Sequence, residues 1–418
     1  MKFEVGYGSG VQQFELAESQ WMGTLMANPV EKGLTGVAAV EYALDHPIDS
    51  PALEALVRPG QKVVIVTSDI SRPMPSYKVL PSVLKRLNKA GVPMEDVTVV
   101  LALGSHREHT AEEQKKLVGE EVYRAVRCED STANGFVRIG TTTLGTPVDI
   151  ARRVAEADVR ICLGNIEYHY FAGYSGGGKA IMPGVSTPEA IQSNHSRMLE
   201  ATAVAGNMEG NPIREDIEEA AALCGVDFIV NVVLDEHKEI VCAVAGDVVT
   251  AHREGCRFLD RIYKKEISGR ADIVIASQGG APKDLNLYQV QKALENAKYA
   301  VKDGGIIILV GACTEGFGSK IFQEWFEQAQ KPADLTERIR REFRLGGHKA
   351  AAMAAVVQRA DVYLVSDLPA EAVLGAFMTP YRTVQEALDA ALEKQGSEAK
   401  VLLMPYAGST FPQVAETV

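Results

Sequence analysis

VVIVTSDISRPMPSYKVLPSVLKRLNKAG, residues 63–91, is a strand-like run followed by a helical pattern, and this pair of elements repeats along the chain. Its first part is apolar and rich in β-branched residues, as buried strands are, whereas apolar residues recur at helical spacing from Ser76 onward. The strand-like runs lie at 63–69, 97–106, 158–165, 227–235, 271–280, 304–311, 360–367 and 400–406. Strands that alternate with helices in this way predict an α/β fold with mostly parallel sheets.

The length of 418 residues favours two domains. Charged, glycine-containing sequence at 264–272 separates one strand–helix series from the next, so we predict two α/β domains, at 1–268 and 272–418. The last strand could instead return to the first domain, which would place residues 401–418 there. At finer scale, residues 1–16 alternate like a pair of strands, and Thr110 with Glu113 predicts a capping box at the start of a helix.

The composition is that of a globular protein, with 46% hydrophobic and 23% charged residues. A net charge of -12 without a long basic run argues against binding to nucleic acid or to an anionic membrane surface. The six cysteines are scattered and form no C-x-x-C pair, which is typical of a reducing compartment. No apolar run reaches membrane-spanning length, so the sequence predicts a cytoplasmic protein.

Polar side chains follow several of the strand-like runs, at the edge where ligands bind in open parallel sheets. In the first series these residues are Asp69, Arg72, His106, Asn165 and His169, and in the second series they are Ser277 and Gln278. Two domains that met at this edge would form a cleft. We therefore predict an active site in an interdomain cleft.

Three of the eight histidines fall around one segment. His169 and His195 flank a glycine-rich loop, and His106 ends a neighbouring strand-like run. Imidazole suits both acid–base chemistry near neutral pH and the binding of nickel or zinc, so these three are candidates for catalysis. The sequence contexts of the others favour the surface for His46, His109, His237 and His252, and leave His348 open between a helix start and a cleft residue.

Two other segments carry groups suited to an anionic substrate. Asp69 and Arg72 share the turn SDISRPMP, 68–75, where the guanidinium could bind a carboxylate or phosphate. A local Asp–Arg pair that shapes the turn is the alternative. In NLYQVQKALENA, 286–297, Gln289 and Lys292 lie on one helix face, although this pattern alone favours an ordinary solvated helix start.

The glycine-rich loop, FAGYSGGGKA at 171–180, fits the phosphate-loop pattern G-x-x-x-x-G-K from Gly173 to Lys179. That motif needs a strand leading directly into the loop, a helix that opens at the lysine, and a following Ser or Thr that holds magnesium. Here the strand-like run ends well before the loop, and Ala180 follows the lysine. A nucleotide hydrolase is therefore a remote alternative, and a non-catalytic protein that binds a phosphorylated metabolite is another.

Several motifs together resemble the nickel-pincer lactate racemase family. They are D-x-x-R in SDISRPMP, LALGSHR, HYFAGYSGGGKAIMPG with NH further on, and YQVQKA, and their order holds across nearly the whole chain. The resemblance implies two α/β domains with the active site between them. It also implies a covalently attached cofactor, pyridinium-3-thioamide-5-thiocarboxylic acid mononucleotide, which holds nickel and depends on maturation enzymes that insert sulfur and nickel.

The resemblance also assigns roles to individual residues. It implies that Lys179 carries the cofactor, that His195 coordinates nickel, and that His106 and His169 are the two acid–base groups. The other implied contacts are Asp69, Gly176, Gly177 and Gly178 near the cofactor, and Arg72, Tyr288, Gln289 and Lys292 at the substrate. The expected reaction interconverts D- and L-lactate by abstraction and return of a hydride. The alternative is racemisation or epimerisation of another 2-hydroxy acid, such as malate or a larger aliphatic, aromatic or sugar acid.

Overall fold

The computed structural model describes residues 1–29, 33–235 and 237–415. The strands are β1 (Lys2–Tyr7), β2 (Gly10–Glu15), β3 (Trp21–Thr24), β4 (Val63–Ser68), β5 (Val97–Ala102), β6 (Arg127–Asp130), β7 (Phe136–Thr141), β8 (Pro147–Ala151), β9 (Val159–Ile166), β10 (Tyr168–His169), β11 (Gly173–Tyr174), β12 (Phe228–Leu234), β13 (Ile240–Gly246), β14 (Lys264–Ile267), β15 (Ala271–Ser277), β16 (Val301–Val310), β17 (Asp361–Val365), β18 (Thr379–Tyr381), β19 (Val401–Met404) and β20 (Phe411–Val414).

The α-helices alternate with these strands over most of the chain. They are α1 (Gly36–Asp45), α2 (Leu53–Leu56), α3 (Ser76–Lys89), α4 (Ala111–Val118), α5 (Glu120–Ala125), α6 (Arg152–Ala155), α7 (Pro188–His195), α8 (Pro212–Cys224), α9 (Thr250–Tyr263), α10 (Leu287–Ala297), α11 (Lys320–Glu327), α12 (Pro332–Arg341), α13 (Gly347–Val357), α14 (Ala370–Gly375) and α15 (Val384–Gln395). Each of the predicted strand-like runs contains a strand, and the capping box of Thr110 and Glu113 is present. The predicted α/β class with mostly parallel sheets is confirmed.

The chain divides into two compact units, which we call the central unit (residues 30–260) and the terminal unit (residues 1–29 and 261–418). This division differs from the predicted ranges 1–268 and 272–418 at the N-terminus. The reason is strand pairing: β3 pairs in parallel with β19, so the first residues of the chain complete the sheet of the terminal unit. The strand near the C-terminus also pairs with β15 in that sheet, instead of returning to the unit that contains the glycine-rich loop.

The central unit has a six-stranded sheet in the order β13-β12-β9-β4-β5-β6. All neighbours in it are parallel except β12 and β13. The residues of β4 are buried from Val63 to Thr67, which explains why its first four residues, Val63 to Val66, are all apolar and do not alternate with polar ones. Its position between β9 and β5 brings the carboxyl ends of three consecutive parallel strands together.

The terminal unit has its own six-stranded sheet in the order β18-β17-β16-β15-β19-β3, and all of its strands are parallel. The predicted N-terminal strand pair is the antiparallel hairpin β1–β2. The hairpin packs on this unit, because the Ser277 hydroxyl at the end of β15 donates to the carbonyl of Gly6 over 2.8 Å. Across the described part of the chain, no helix is long and apolar enough to cross a membrane.

Candidate active site

The sheet of the central unit gathers the first group of candidate residues at one edge. Asp69 directly follows β4, His106 lies a short turn after β5, and His169 belongs to the small hairpin β10–β11 that follows β9. These three strands are neighbours in the sheet and run in parallel. The three side chains therefore follow the carboxyl ends of adjacent strands, as the sequence predicted for this unit.

Asp69 and His106 form a hydrogen-bonded pair. The His106 Nδ1 is in short contact with Asp69 Oδ2, and the hydroxyl of Ser71 donates to Asp69 Oδ1 over 2.8 Å. An ionised carboxylate only accepts hydrogen bonds, so Nδ1 of His106 carries a proton. In the neutral imidazole the lone pair then lies on Nε2, the arrangement that a carboxylate imposes on a histidine base.

The carboxyl group of Asp69 is held in its ionised form. Only 3% of the residue is exposed, and this burial raises the pKa of the carboxyl, but the His106 and Ser71 hydrogen bonds and the charge of Arg72 outweigh it and lower the pKa overall. Since the folded-state pKa is lowered, the carboxylate contributes stability above its ordinary pKa of about 4, and that stability is lost as the pH falls through the lowered value. Asp69 pairs with His106 and Ser71, so the alternative of a local Asp–Arg pair does not describe this turn.

The sequence context of His109 predicted a surface position, but its side chain is buried. Its side chain is 1% exposed, and its Nδ1 lies 2.7 Å from Asp130 Oδ1. Its Nε2 accepts the backbone N–H of Ile70 over 3.1 Å, next to Asp69 in the chain. His109 therefore holds the turn that carries Asp69 and Arg72. The surface prediction was wrong because strand β6, which ends at Asp130, lies beside β5.

The glycine-rich loop does not have the geometry of a phosphate loop. The hairpin β10–β11 lies between β9 and the loop, and Lys179 lies in one 3-10 turn, Gly177–Ala180, rather than at the start of an α-helix. This local structure removes the two features that a nucleotide hydrolase would need here.

The glycines of the loop permit close packing against the rest of the central unit. Gly176 has φ 80° and ψ -172°, a conformation almost restricted to glycine, and a Cβ there would lie 2.7 Å from Asn231 Oδ1. A Cβ at Gly177 would lie 2.9 Å from the ring of His252. Packing within the protein thus accounts for both residues, and contact of Gly176, Gly177 and Gly178 with a phosphate stays a prediction.

We expect the substitution Gly176→Ala to lower the free energy of unfolding by about 2–4 kcal/mol, because backbone strain and a clash with Asn231 add together. A matched control is Gly60→Ala, where φ is also positive at 88° but no atom lies within 4 Å of the added methyl. Urea denaturation of both variants measures the difference. Equal losses of stability in the two would contradict this account of the loop.

Lys179 has an environment that favours an uncharged amine. Burial lowers its pKa well below the ordinary value, the positive charges of Arg214 and Arg72 lower it further, and Glu167 opposes them only in part. The Nζ atom of Lys179 also lies 5.7 Å from the centre of the Phe171 ring. An uncharged lysine amine is a nucleophile, so this residue is chemically suited to form a covalent bond to a cofactor.

His169 and His195 both pack against the ring of Phe171. The ring of Phe171 meets His169 edge-on at 4.4 Å and His195 at 4.8 Å between centroids. Burial lowers the pKa of His169 well below its ordinary value, and positive charge acts in the same direction, from Lys179 when its amine is protonated and from Arg72. The Nδ1 of His169 accepts the backbone N–H of Ala172 over 3.4 Å, so in the neutral ring the proton lies on Nε2.

His195 is the last residue of α7 and is 5% exposed. The amide nitrogen of Asn194 donates to Asp216 Oδ2 over 2.7 Å, which turns the Asn194 oxygen toward His195 Nδ1 at 2.8 Å. Nδ1 of His195 therefore carries the proton, and Nε2 has the lone pair. A partner that fixes the tautomer in this way is typical of metal-binding histidines. The sequence did not reveal Asp216, because it lies on α8, in a different element.

Two buried residues behind the loop were not predicted as part of the site. His252, predicted at the surface, is 1% exposed, and its Nε2 donates to the carbonyl of Ser175 over 2.8 Å. Arg214 is 0% exposed, and its guanidinium donates to the carbonyls of Ala172 and Tyr174. The prediction for His252 was wrong because α9 turns this side of the helix toward the loop, and charged neighbours in the sequence hide that fact.

The remaining candidate residues belong to the terminal unit. Gln289 and Lys292 are exposed on α10, whose opposite face is buried, and the side chain of Asn286 caps this helix by accepting the N–H of Gln289 over 3.1 Å. The ring of Tyr288 lies 3.8 Å from the ammonium group of Lys349. The role of Tyr288, Gln289 and Lys292 in substrate binding stays a prediction, as does the interdomain position of the site.

The central unit offers features that fit an anionic cofactor attached to the loop. The buried Nη1 of Arg214 and Nδ2 of Asn231 have no hydrogen-bond partner among the described residues. A buried donor without an acceptor costs about 1–3 kcal/mol, and a bound anionic group is the kind of acceptor that both lack. Within the same described residues, no group of three or more His, Cys, Asp and Glu side chains is arranged to hold a metal ion.

Comparison with known proteins places the chain in a family. The family described as the lactate racemase N-terminal domain matches residues 7–206, and the lactate racemase C-terminal domain matches residues 267–410. A lactate racemase from Thermoanaerobacterium thermosaccharolyticum is 34% identical over 414 residues, which cover 96% of this chain and 97% of the relative. A lactate racemase from Lactiplantibacillus plantarum is 35% identical over 383 residues, which cover 88% of each chain.

A solved structure is similar over the whole fold. The lactate racemase apoprotein from Thermoanaerobacterium thermosaccharolyticum has a TM-score of 0.88 and 33% identity, and the match covers 99% of this chain and 100% of that chain. Together these likenesses define an isomerase of the racemase class. The chain belongs to the lactate racemase family.

Proposed function

We propose that this protein interconverts the enantiomers of a small 2-hydroxy acid, with lactate as the first candidate, by using a nickel-pincer nucleotide attached to Lys179. The observation that carries the proposal is the lysine itself: an amine whose pKa is strongly lowered, on a tightly packed loop flanked by His169 and His195. Family membership supports the reaction class, and the names of two relatives support lactate.

The residues of the central unit suit such a cofactor. Lys179 would form the covalent link, and His195 would donate to nickel through the lone pair of Nε2. Because the described residues contain no cluster of protein ligands, most donors to the metal would have to come from the cofactor. When bound, the cofactor would supply the centre that accepts the α-hydrogen of the substrate as hydride and returns it.

His106 and His169 are suited to move the proton of the substrate hydroxyl. Nε2 of His106 has the lone pair of a general base, and Asp69 stabilises the imidazolium that forms. In the neutral ring Nε2 of His169 carries the proton and can donate a hydrogen bond to an oxygen of the substrate. To act as the general acid His169 would first have to gain a second proton, and to act as the general base for the opposite enantiomer it would have to carry its proton on Nδ1, which leaves the lone pair on Nε2.

Arg72 is the candidate for binding the substrate carboxylate. Its side chain is exposed on the turn after β4, and its positive charge lowers the pKa of Asp69 and of Lys179. A guanidinium can hold a carboxylate through two parallel hydrogen bonds, which would fix one end of the substrate while its carbonyl end turns over. The hydrolase alternative has no comparable support, because Lys179 does not open a helix.

The choice among 2-hydroxy acids is decided by experiment. We expect the protein, produced together with the cofactor-maturation enzymes, to racemise single enantiomers of lactate fastest in a panel that includes malate and larger aliphatic, aromatic and sugar acids. Chiral chromatography measures the products. Preference for another acid would replace the substrate but keep the reaction, whereas loading with nickel and turnover of no member would overturn the proposal.

The pair Asn194 and Asp216 gives a prediction about metal binding. We expect Asn194→Ala to weaken nickel retention about 10- to 100-fold, since His195 loses the partner that fixes its tautomer. The measurement is a ratio: nickel per chain after dialysis, divided by the fraction of chains that carry the Lys179 adduct in intact-mass measurement. This ratio separates loss of nickel from incomplete loading of the cofactor. Ser193→Ala, one residue earlier in α7, is the control. The same nickel-to-adduct ratio in Asn194→Ala and in the wild type would contradict the assignment.

A further inference from the structure

We propose that Arg214 is a positioning residue for Lys179: it holds the chain before the lysine against α8 and places a permanent positive charge close to the amine. The inference rests on the proposed role of Lys179 as the attachment point. It concerns a residue on a different element, Pro212–Cys224, which the sequence motifs around the loop do not include.

Helix α8 contacts the loop at two places. Arg214 Nε donates to the carbonyl of Ala172 over 3.1 Å, and its Nη2 donates to the carbonyl of Tyr174. About two helical turns further along α8, a Cβ at Gly178 would lie 3.0 Å from Cβ of Ala221, so the backbone next to Lys179 lies directly on the helix. The arginine thus fixes the segment that leads into the lysine.

The charge of Arg214 is incompletely neutralised. Its Nε lies 4.0 Å from the carboxylate of Glu218, but Glu218 forms a two-bond pair with Arg253, at 2.7 and 2.9 Å. Burial lowers the pKa of Arg214 to about 10, which leaves the guanidinium protonated at neutral pH. Burying a charge is costly unless it is paired, so a residue that only filled this space would be apolar.

The other groups around Lys179 do not cancel this charge. Arg72, after β4, adds a second positive charge, and Glu167, after β9, is the opposing negative one. His169 and His252 also interact electrostatically with Lys179. Burial lowers the pKa of both histidines, so they are uncharged at neutral pH. The field at the amine is therefore positive, which favours the unprotonated nucleophile.

The effect of Arg214 on the protonation of Lys179 can be tested without nickel or substrate, by competitive labelling of the full-length protein with trace acetic anhydride. The unprotonated amine nitrogen attacks one carbonyl carbon, acetate leaves, and the new amide nitrogen loses its proton to water. Labelling of Lys179 and of exposed Lys116, measured by peptide mass spectrometry across pH, gives two midpoints in the same sample. We expect the midpoint of Lys179 to be the lower one.

In Arg214→Met, which retains bulk but not charge, we expect the labelling midpoint of Lys179 to rise by about one pH unit, equivalent to a tenfold change in the affinity of the amine for a proton. Arg214→Lys retains the charge and should restore the wild-type midpoint, which a purely structural role would not predict. Arg214→Gln replaces Arg214→Met if near-ultraviolet circular dichroism shows that the latter is unfolded. Equal midpoints for Lys179 and Lys116 in the wild type, or an unchanged Lys179 midpoint in the uncharged variants, would overturn the inference. A low, Arg214-dependent midpoint, together with no racemase activity in protein that has been matured and loaded with nickel, would overturn the proposed function instead.

Discussion

Lys179→Ala should abolish both cofactor attachment and racemisation. The amine is the only group on this side chain that can form the proposed bond, and its lowered pKa makes it reactive at neutral pH. We expect matured wild-type protein to show a mass adduct on the peptide that contains residue 179, with about one nickel per chain, and we expect the variant to show neither. Racemase activity should fall to the background of an uninduced extract.

The control for this experiment is Lys116→Ala, at an exposed position on α4. It should retain the adduct, the nickel and the activity. Lys179→Arg is a more stringent test, because it preserves the positive charge and length but cannot be neutralised at neutral pH. An active, nickel-loaded Lys179→Ala protein would exclude covalent attachment at this residue and would redirect the proposal to a non-covalently bound cofactor.

The order of the elements in this chain was predictable because buried parallel strands have a distinctive sequence. The run at 63–69 begins with four consecutive apolar residues, Val63 to Val66, and β4 is indeed buried on both faces of its sheet. The assignment of residues 1–29 was not predictable, since pairing of β3 with β19 joins segments that are far apart in sequence. Periodicity describes local structure and contains no information about such a partner.

The candidate site shows the same limit. Asp69, His106, His169 and Lys179 lie in or beside short motifs, and parallel strands bring the first three to one edge. Three other residues contact the loop or the partner of His195 from helices that are distant in sequence: Arg214 and Asp216 on α8, and His252 on α9. No fixed spacing in the sequence marks these contacts. Their charged or polar surroundings in sequence are those of solvated helices, so burial became evident only from the packing.

His106→Asn and His169→Asn should each lower kcat about 100- to 10,000-fold, the range usual for the loss of a general acid or base. Asparagine at 106 can still donate to Asp69, so the turn should be preserved while the Nε2 lone pair is lost. We expect KM to change only slightly, because neither histidine is proposed to hold the substrate carboxylate. The Lys179 adduct and the nickel content should remain at wild-type levels, which separates a catalytic loss from failed maturation.

The control for both histidine variants is His46→Asn. The ring of His46 is exposed and stacks on Tyr42, so this substitution should leave kcat unchanged.

The two histidines differ in their dependence on Asp69. Asp69→Asn should reproduce part of the His106→Asn defect, because the imidazolium at 106 loses its counter-charge, but it should have little further effect on a His106→Asn background. Wild-type kcat in both histidine variants would exclude them as the acid–base pair. An additive effect of Asp69→Asn on the His106→Asn background would show that Asp69 acts by some route other than His106, because residues that act as one unit are not additive.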